Sequence, residues 1–227
     1  MKMVKSAPTR AQQVYEIIRD DILDGRLAPN VHLVQEEVAA RLSVSRQPVQ
    51  QAMLLLRSEG LVTESGARGL CVAPIDPERV RHHYQIRTSL DRLAAGIVAD
   101  RICQGDVEVR DQLFVEGRKY ISEGKNAEKN RSAPEAVALD MQFHSLIYKC
   151  SGNPLIAVTA EPHWSFLRRV MVSVLLHAGR GPIVWREHET ILETLLSGDA
   201  RKVDQMVTDH ILGAERALIK VLTMTGA

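Results

Sequence analysis

The chain of 227 residues is 45% hydrophobic, 25% charged and only 4% aromatic, with a net charge of +1. That length exceeds a lone helix-turn-helix and predicts two domains, while the composition excludes disorder and favours an aliphatic, helix-rich interior. No run of about 18 apolar residues marks a membrane span and no signal peptide opens the chain, so a cytoplasmic protein is expected, with Cys71, Cys103 and Cys150 as incidental thiols.

Residues 1–9 show no apolar period and are expected to form a flexible arm. From Arg10 to Asp24 the residues Val14, Ile17, Ile18, Ile22 and Leu23 recur near helical spacing, and Gly25 stands where a left-handed cap ends a helix. Arg26 to Asn30 is turn chemistry, and His32-Leu33 can extend as a short strand. Val38, Ala39 and Leu42 predict a second helix. Val49, Ala52, Met53 and Leu56 predict a third, with Ser43-Val44 as the turn between them. Ser45 is placed to cap the third helix, and Pro48 falls in its first turn, where no intrahelical acceptor is lost. Leu61-Val62-Thr63 and Leu70-Cys71-Val72 then extend on either side of a glycine-bearing turn. The result is a winged helix-turn-helix over residues 10–74.

This half resembles the GntR family of bacterial transcriptional regulators. The resemblance rests on Val14-Tyr15, Ile22, Gly25, Pro29, Leu33, Val44-Ser45-Arg46, Pro48-Val49, Leu56, Glu59-Gly60-Leu61-Val62 and Arg68-Gly69. It implies binding to double-stranded operator DNA. Ser45, Arg46, Gln47 and Gln50 lie at the start or outer face of the third helix, with Arg68 and Gly69 at the wing tip. The chain departs from the family at Gln50, which replaces an arginine, at Gln51, which replaces a glutamate, and at Asn30, which replaces a glycine. Residues 1–75 hold nine Lys and Arg against eight Asp and Glu, a weak basic footprint for a DNA reader.

Residues 75–78, with Pro74 before them and Pro77 among them, read as a linker, and Asp76 is placed to cap the next helix. Residues 79–224 are expected to form an antiparallel all-helical bundle. Its six helices fall near 78–103, 106–124, 134–151, 154–178, 183–197 and 199–223, with Gly, Asn and Pro at the breaks.

Three of these helices carry polar groups on apolar faces. Asp140 and His144 share the stripe of Val137 and Ile147. His188 lies among Val184, Trp185, Ile191, Leu192 and Leu195, and His210 among Val203, Met206, Val207 and Ala214. Burying such groups unpaired costs about 1 to 3 kcal/mol each, which points to a shared partner. One divalent metal ion per chain fits, Zn²⁺ first, with Ni²⁺ and Mn²⁺ also suited to imidazole and carboxylate. His32, His82, His83, His163 and His177 are read as ordinary hydrogen-bonded residues.

The second half resembles the FCD effector domain of FadR-type GntR regulators. Arg87, Leu90-Asp91, Ala94-Ala95, Phe143-His144, Ser151-Gly152-Asn153-Pro154-Leu155, Glu187-His188 and His210 carry that resemblance. It implies metal ligands at Asp140, His144, His188 and His210, and an arginine, Arg87, that binds the carboxylate of a small effector. Arg87 can equally serve a structural salt bridge to Asp91 or Asp140; Arg168 and Arg169 are further candidates for the effector. Taken together, the two halves predict a homodimeric repressor controlled by a small organic acid. A metal-dependent enzyme acting on such an acid, and a regulator with a purely structural metal, are the alternatives.

Overall fold

The structure, a computed structural model, describes residues 8–66, 69–178 and 181–225, with the side chains of 175–178 and 225 outside that description. It divides into two compact units, the first reaching to Ile75 and the second beginning at Asp76.

In the first unit α1 spans Arg10–Leu23, opened by Thr9, whose hydroxyl accepts from the Gln12 amide at 3.2 Å. Its inward stripe is Val14, Ile18 and Ile22, each four residues apart, together with Leu23; Ile17 falls off the stripe and is exposed. This stripe packs on α3, Arg46–Ser58, through Val49, Ala52, Met53 and Leu56. Between them lie β1, His32–Leu33, and α2, Gln35–Arg41. Ser43 takes the left-handed conformation with φ of 53°, which lets the chain turn sharply into α3. Ser45 occupies the N-cap position of α3, but its hydroxyl makes no capping bond there. The first-turn amides of α3 are therefore not satisfied by their own cap.

Strands β2, Val62–Glu64, and β3, Leu70–Val72, form the antiparallel wing, with Thr63 opposite Cys71. β1 pairs with the other edge of β3, His32 opposite Cys71, so the wing is part of a three-stranded sheet of order β1-β3-β2. The sequence marks each strand but not that pairing, because two residues carry no register information.

The second unit consists, among the described residues, of six helices: α4 Pro77–Cys103, α5 Val107–Lys129, α6 Ala133–Ser151, α7 Pro154–Ala178, α8 Gly181–Ser197 and α9 Ala200–Thr225. Asp76 caps α4 by accepting from the Glu78 amide at 2.9 Å, and Asp106 caps α5 through Val109 at 3.1 Å. α4 packs against α6, α7, α8 and α9 and is the central element. Residues halfway along it are consequently shut off from solvent, Arg87 and Asp91 among them.

One expected boundary is corrected. Gly124 is not a helix stop, since α5 continues for more than a turn to Lys129. The glycine is there because the Trp185 ring of α8 lies against it: a Cβ at that position would stand 2.1 Å from the ring. The helix accepts glycine's cost of about 1 kcal/mol in exchange for that close approach. Gly124→Ala is therefore expected to destabilise the second unit, by about 2 kcal/mol or more, despite alanine's better helix propensity. Urea denaturation followed by Trp fluorescence measures it, and an unchanged midpoint would show that Trp185 moves aside freely.

On α4 and α7, His83 and His163 meet Nδ1 to Nδ1 at 3.0 Å, and His83 stacks on Phe166 with centroids 4.0 Å apart. Burial, with the nearby His163, Arg79 and His82 charges, pushes the His83 pKa down to about 4. The unfolded chain takes up a proton at about pH 6.5 that folded His83 refuses until about pH 4. Stability should fall as pH drops through that window and level off below it. His83→Phe should flatten this part of a stability-versus-pH curve; an unaltered slope would assign it to other groups.

Candidate functional site

α6 supplies Asp140 and His144, one helical turn apart, and both are buried. α8 supplies His188 and α9 supplies His210, also buried. The four meet: one ligand atom from each lies within 4.8 Å of all the others. His188 Nε2 stands 3.2 Å from His210 Nε2 and 3.3 Å from Asp140 Oδ1. Two ligands held about 2.1 Å from an ion at a tetrahedral angle stand roughly 3.4 Å apart, so these two spacings suit one ion, while a pair as far apart as 4.8 Å would have to draw closer to share it.

The surrounding groups fix the imidazoles. His144 Nδ1 lies 2.6 Å from Asp91 Oδ1, and His210 Nδ1 lies 2.8 Å from Glu187 Oε2. A carboxylate acceptor places the proton on Nδ1 and leaves the Nε2 lone pair facing the cluster, the arrangement by which metal-binding histidines are oriented. Burial above all lowers the His210 pKa, which keeps its imidazole neutral and able to donate. Phe143 stacks on His188 with ring centroids 4.4 Å apart and holds that ring in place. Asp140 Oδ2 has no hydrogen-bond partner among the described residues. A buried carboxylate oxygen without a donor, beside three converging imidazoles, is chemistry suited to a cation. This buried acid and histidine cluster can hold a metal ion.

Asp91, Glu187 and Tyr148 support the cluster without being apparent from the sequence. Burial opposes the Asp91 charge, but His144, Arg87 and the Tyr148 hydroxyl, which donates to Asp91 Oδ2 at 2.9 Å, hold its pKa below the usual carboxylate range. The available signals were the Arg87/Asp91 spacing of one turn and the position of Glu187 beside His188.

Arg87 makes the structural ion pairs expected of it, with both Asp91 and Asp140. One terminal nitrogen donates to His144 Nε2 at 2.8 Å and lies 3.8 Å from Asp140 Oδ2, while Nε lies 3.6 Å from Asp91 Oδ2. A guanidinium has no acceptor, so His144 Nε2 must be the lone-pair partner. The guanidinium also lies over the Trp164 ring, 4.0 Å from its centroid. Arg87 further lines a cavity of about 640 Å³ whose buried end is shared with Asp140 and His210. Val137, Met171 and Trp185 line it as well, whereas Arg168 and Arg169 do not.

In the first unit Ser45, Arg46, Gln47 and Gln50 are all exposed on the start and outer side of α3. Arg46 forms an ion pair with Glu36 of α2, a partner that the sequence pattern does not reveal. Gln51 and Leu54 share the exposed face, Leu54 at 66% exposure. Gly69 has φ of 102°, a conformation that excludes most side chains, and its carbonyl accepts from the Ser65 amide at 2.9 Å. Arg68 lies outside the described residues, as do residues 1–7 of the expected arm and the His177 side chain.

A winged helix-turn-helix followed by an all-helical unit with a buried acid and histidine cluster defines a DNA-binding transcriptional regulator. The chain belongs to the gntR family of bacterial regulatory proteins: that family's domain matches residues 10–72 and the FCD domain matches residues 82–213. It is 28% identical to the HTH-type transcriptional repressor RspR of Escherichia coli K12, over 88% of this chain and 85% of that protein. It is 30% identical to an HTH-type transcriptional regulator in an unstable DNA locus of Streptomyces ambofaciens, over 89% of this chain and 82% of that one. A GntR transcriptional regulator structure from Rhodococcus sp. RHA1 superimposes with a TM-score of 0.75 at 22% identity, covering 93% of this chain and 98% of that chain, a likeness of fold. Among the described residues no helix is long and apolar enough to cross a membrane.

Proposed function

We propose that the helical unit senses a small organic acid at a metal-assisted site and that acid binding controls operator binding by a homodimer, which acts as a repressor. The observation that carries this reading is the convergence of Asp140, His144, His188 and His210 beside a cavity that Asp140 and His210 line together with Arg87. These four residues would hold one divalent ion, Zn²⁺ first and Ni²⁺ or Mn²⁺ next by ligand type. The ion supplies positive charge and open coordination positions to an acid.

Charge bears on the pairing. Arg87 with Asp91, Asp140 and Glu187 gives two net negative charges around the cluster, ahead of any ion. A divalent ion would bring that sum to zero, so an anionic acid would meet the ion and Arg87 without a net opposing charge. Arg87's planar fork then fits the carboxylate with two parallel bonds, a geometry that lysine lacks. A metal-dependent enzyme needs a general base near the metal. The supporting carboxylates Asp91 and Glu187 are both engaged by ligand histidines, which favours a sensor. The cavity favours sensing over a purely structural metal.

In the first unit Arg46 is assigned to a guanine edge or phosphate after exchange from Glu36, Gln47 and Gln50 to adenine edges, and Arg68 with Gly69 to the backbone at the wing. Switching requires the acid to favour one arrangement of the protein over another. A footprint on DNA flanking the protein's own gene, with and without added acids and Zn²⁺, tests this reading. A protected site whose occupancy responds to acid only with metal present is expected; no protected site at moderate salt would contradict it. Gln50→Arg adds a cation to the exposed face of α3 and is expected to tighten DNA binding and steepen the salt dependence by about one unit of slope. An unaltered slope would place residue 50 away from phosphate.

A further inference from the structure

The cavity beside the cluster also has a chemical preference of its own. Resting on the reading that it is the effector site, we infer that its acid carries an apolar body, an aromatic ring or a medium-length alkyl chain, in place of a chain of hydroxyls. Beyond the end formed by Arg87, Asp140 and His210, the walls come from Val137, Met171, Val184, Trp185, Ala214 and Leu218. Tyr84 and Ser132 bring the hydroxyls of the lining, and no Asn, Gln or Thr occurs in it among the described residues. Glu128, Lys129 and Arg131 also line it.

A polyhydroxylated acid placed here would set against carbon every hydroxyl that does not reach Tyr84, Glu128, Lys129, Arg131 or Ser132. Each hydroxyl that leaves water without a new partner costs about tenfold in affinity. An apolar body gains from the same walls, where a single methylene is worth about tenfold or more. Size points the same way: about 640 Å³ lies in the range of pockets that enclose drug-sized ligands, so an acid as small as lactate fills little of it.

The acid's orientation follows from Arg87. It is 2% exposed; its Nε faces Asp91 at 3.6 Å, and the terminal nitrogen that does not meet His144 has no hydrogen-bond partner among the described residues. That nitrogen, at the buried end, takes the carboxylate, and the apolar body extends along Met171, Trp185 and Leu218.

The test is isothermal titration of the Zn²⁺-loaded full chain with phenylacetate, octanoate, gluconate and lactate, alongside quenching of Trp fluorescence, since Trp185 lines the cavity. Phenylacetate or octanoate is expected to bind at least tenfold tighter than gluconate and lactate and to alter the fluorescence. The double variant Val184→Thr/Ala214→Ser, which adds hydroxyls to the wall with little change of volume, should narrow the preference about tenfold. Gluconate binding as tightly as phenylacetate, with heat that disappears in Arg87→Ala, would overturn this inference and leave the effector reading standing. Heat from phenylacetate that survives Arg87→Ala without a fluorescence change would place binding elsewhere and overturn it too. No heat from any of the four acids would remove the effector reading and this inference with it.

Discussion

His188→Ala is expected to abolish the thermal stabilisation that Zn²⁺ gives the protein. His188 is fully buried, and its Nε2 is within 3.3 Å of both His210 and Asp140, so no other ligand touches as many of the rest. An ion present at a thousandfold over its dissociation constant stabilises a fold by about 4 kcal/mol, which for a unit of this size raises the melting temperature by roughly 10 °C. Loss of a supporting residue behind a ligand typically costs about 10- to 100-fold in metal affinity, and loss of the ligand itself should cost more. The variant also loses the stacking of His188 on Phe143 and leaves a cavity, so its melting temperature without metal will be lower. The decisive quantity is accordingly the Zn²⁺-induced shift within each protein. His82→Ala, on the exposed side of α4, should keep the full shift. A full shift in His188→Ala would place the ion elsewhere.

Arg87→Ala is expected to have two separable effects. In chelator-treated protein Asp91 and Asp140 lose their buried cation, a loss of about 3 kcal/mol or more. Zn²⁺ should recover part of it, because the ion brings positive charge to the same carboxylates. Metal affinity should rise, since His144 Nε2 no longer has Arg87 in front of it. Acid binding should be lost, and Arg87→Lys should not restore it, because a single ammonium cannot supply the paired bonds of the guanidinium. Denaturation with and without Zn²⁺, together with acid titration, separates these effects. Acid binding that survives Arg87→Ala at full strength would leave Arg87 a purely structural role.

The sequence exposes faces more readily than partners. A period of three to four residues places Val14, Ile18 and Ile22 inward, and the same spacing exposes Asp140, His144, His188 and His210 as polar groups on apolar stripes. It cannot state which stripes meet, and so it does not identify Asp91 and Glu187 as the residues that orient His144 and His210. Glycine is ambiguous for a related reason. Gly25 and Gly152 both adopt the left-handed conformation at helix ends, φ 74° and 75°, while Gly124 makes room for Trp185 inside a helix. One residue type serves a backbone need in the first two cases and a packing need in the third, and only the neighbour from α8 separates them. On α3 the exposed face is legible, but the Arg46–Glu36 pair depends on how α2 crosses it.

The most direct measurement of the central claim is the number of metal ions held by the intact chain. Native mass spectrometry of the full-length protein, incubated with Zn²⁺ and then desalted, should show one ion per chain. That ion should be missing from His188→Ala and retained in His82→Ala. A chain that keeps no ion, or one whose ion survives the loss of His188, would contradict the assignment of Asp140, His144, His188 and His210 as a metal centre.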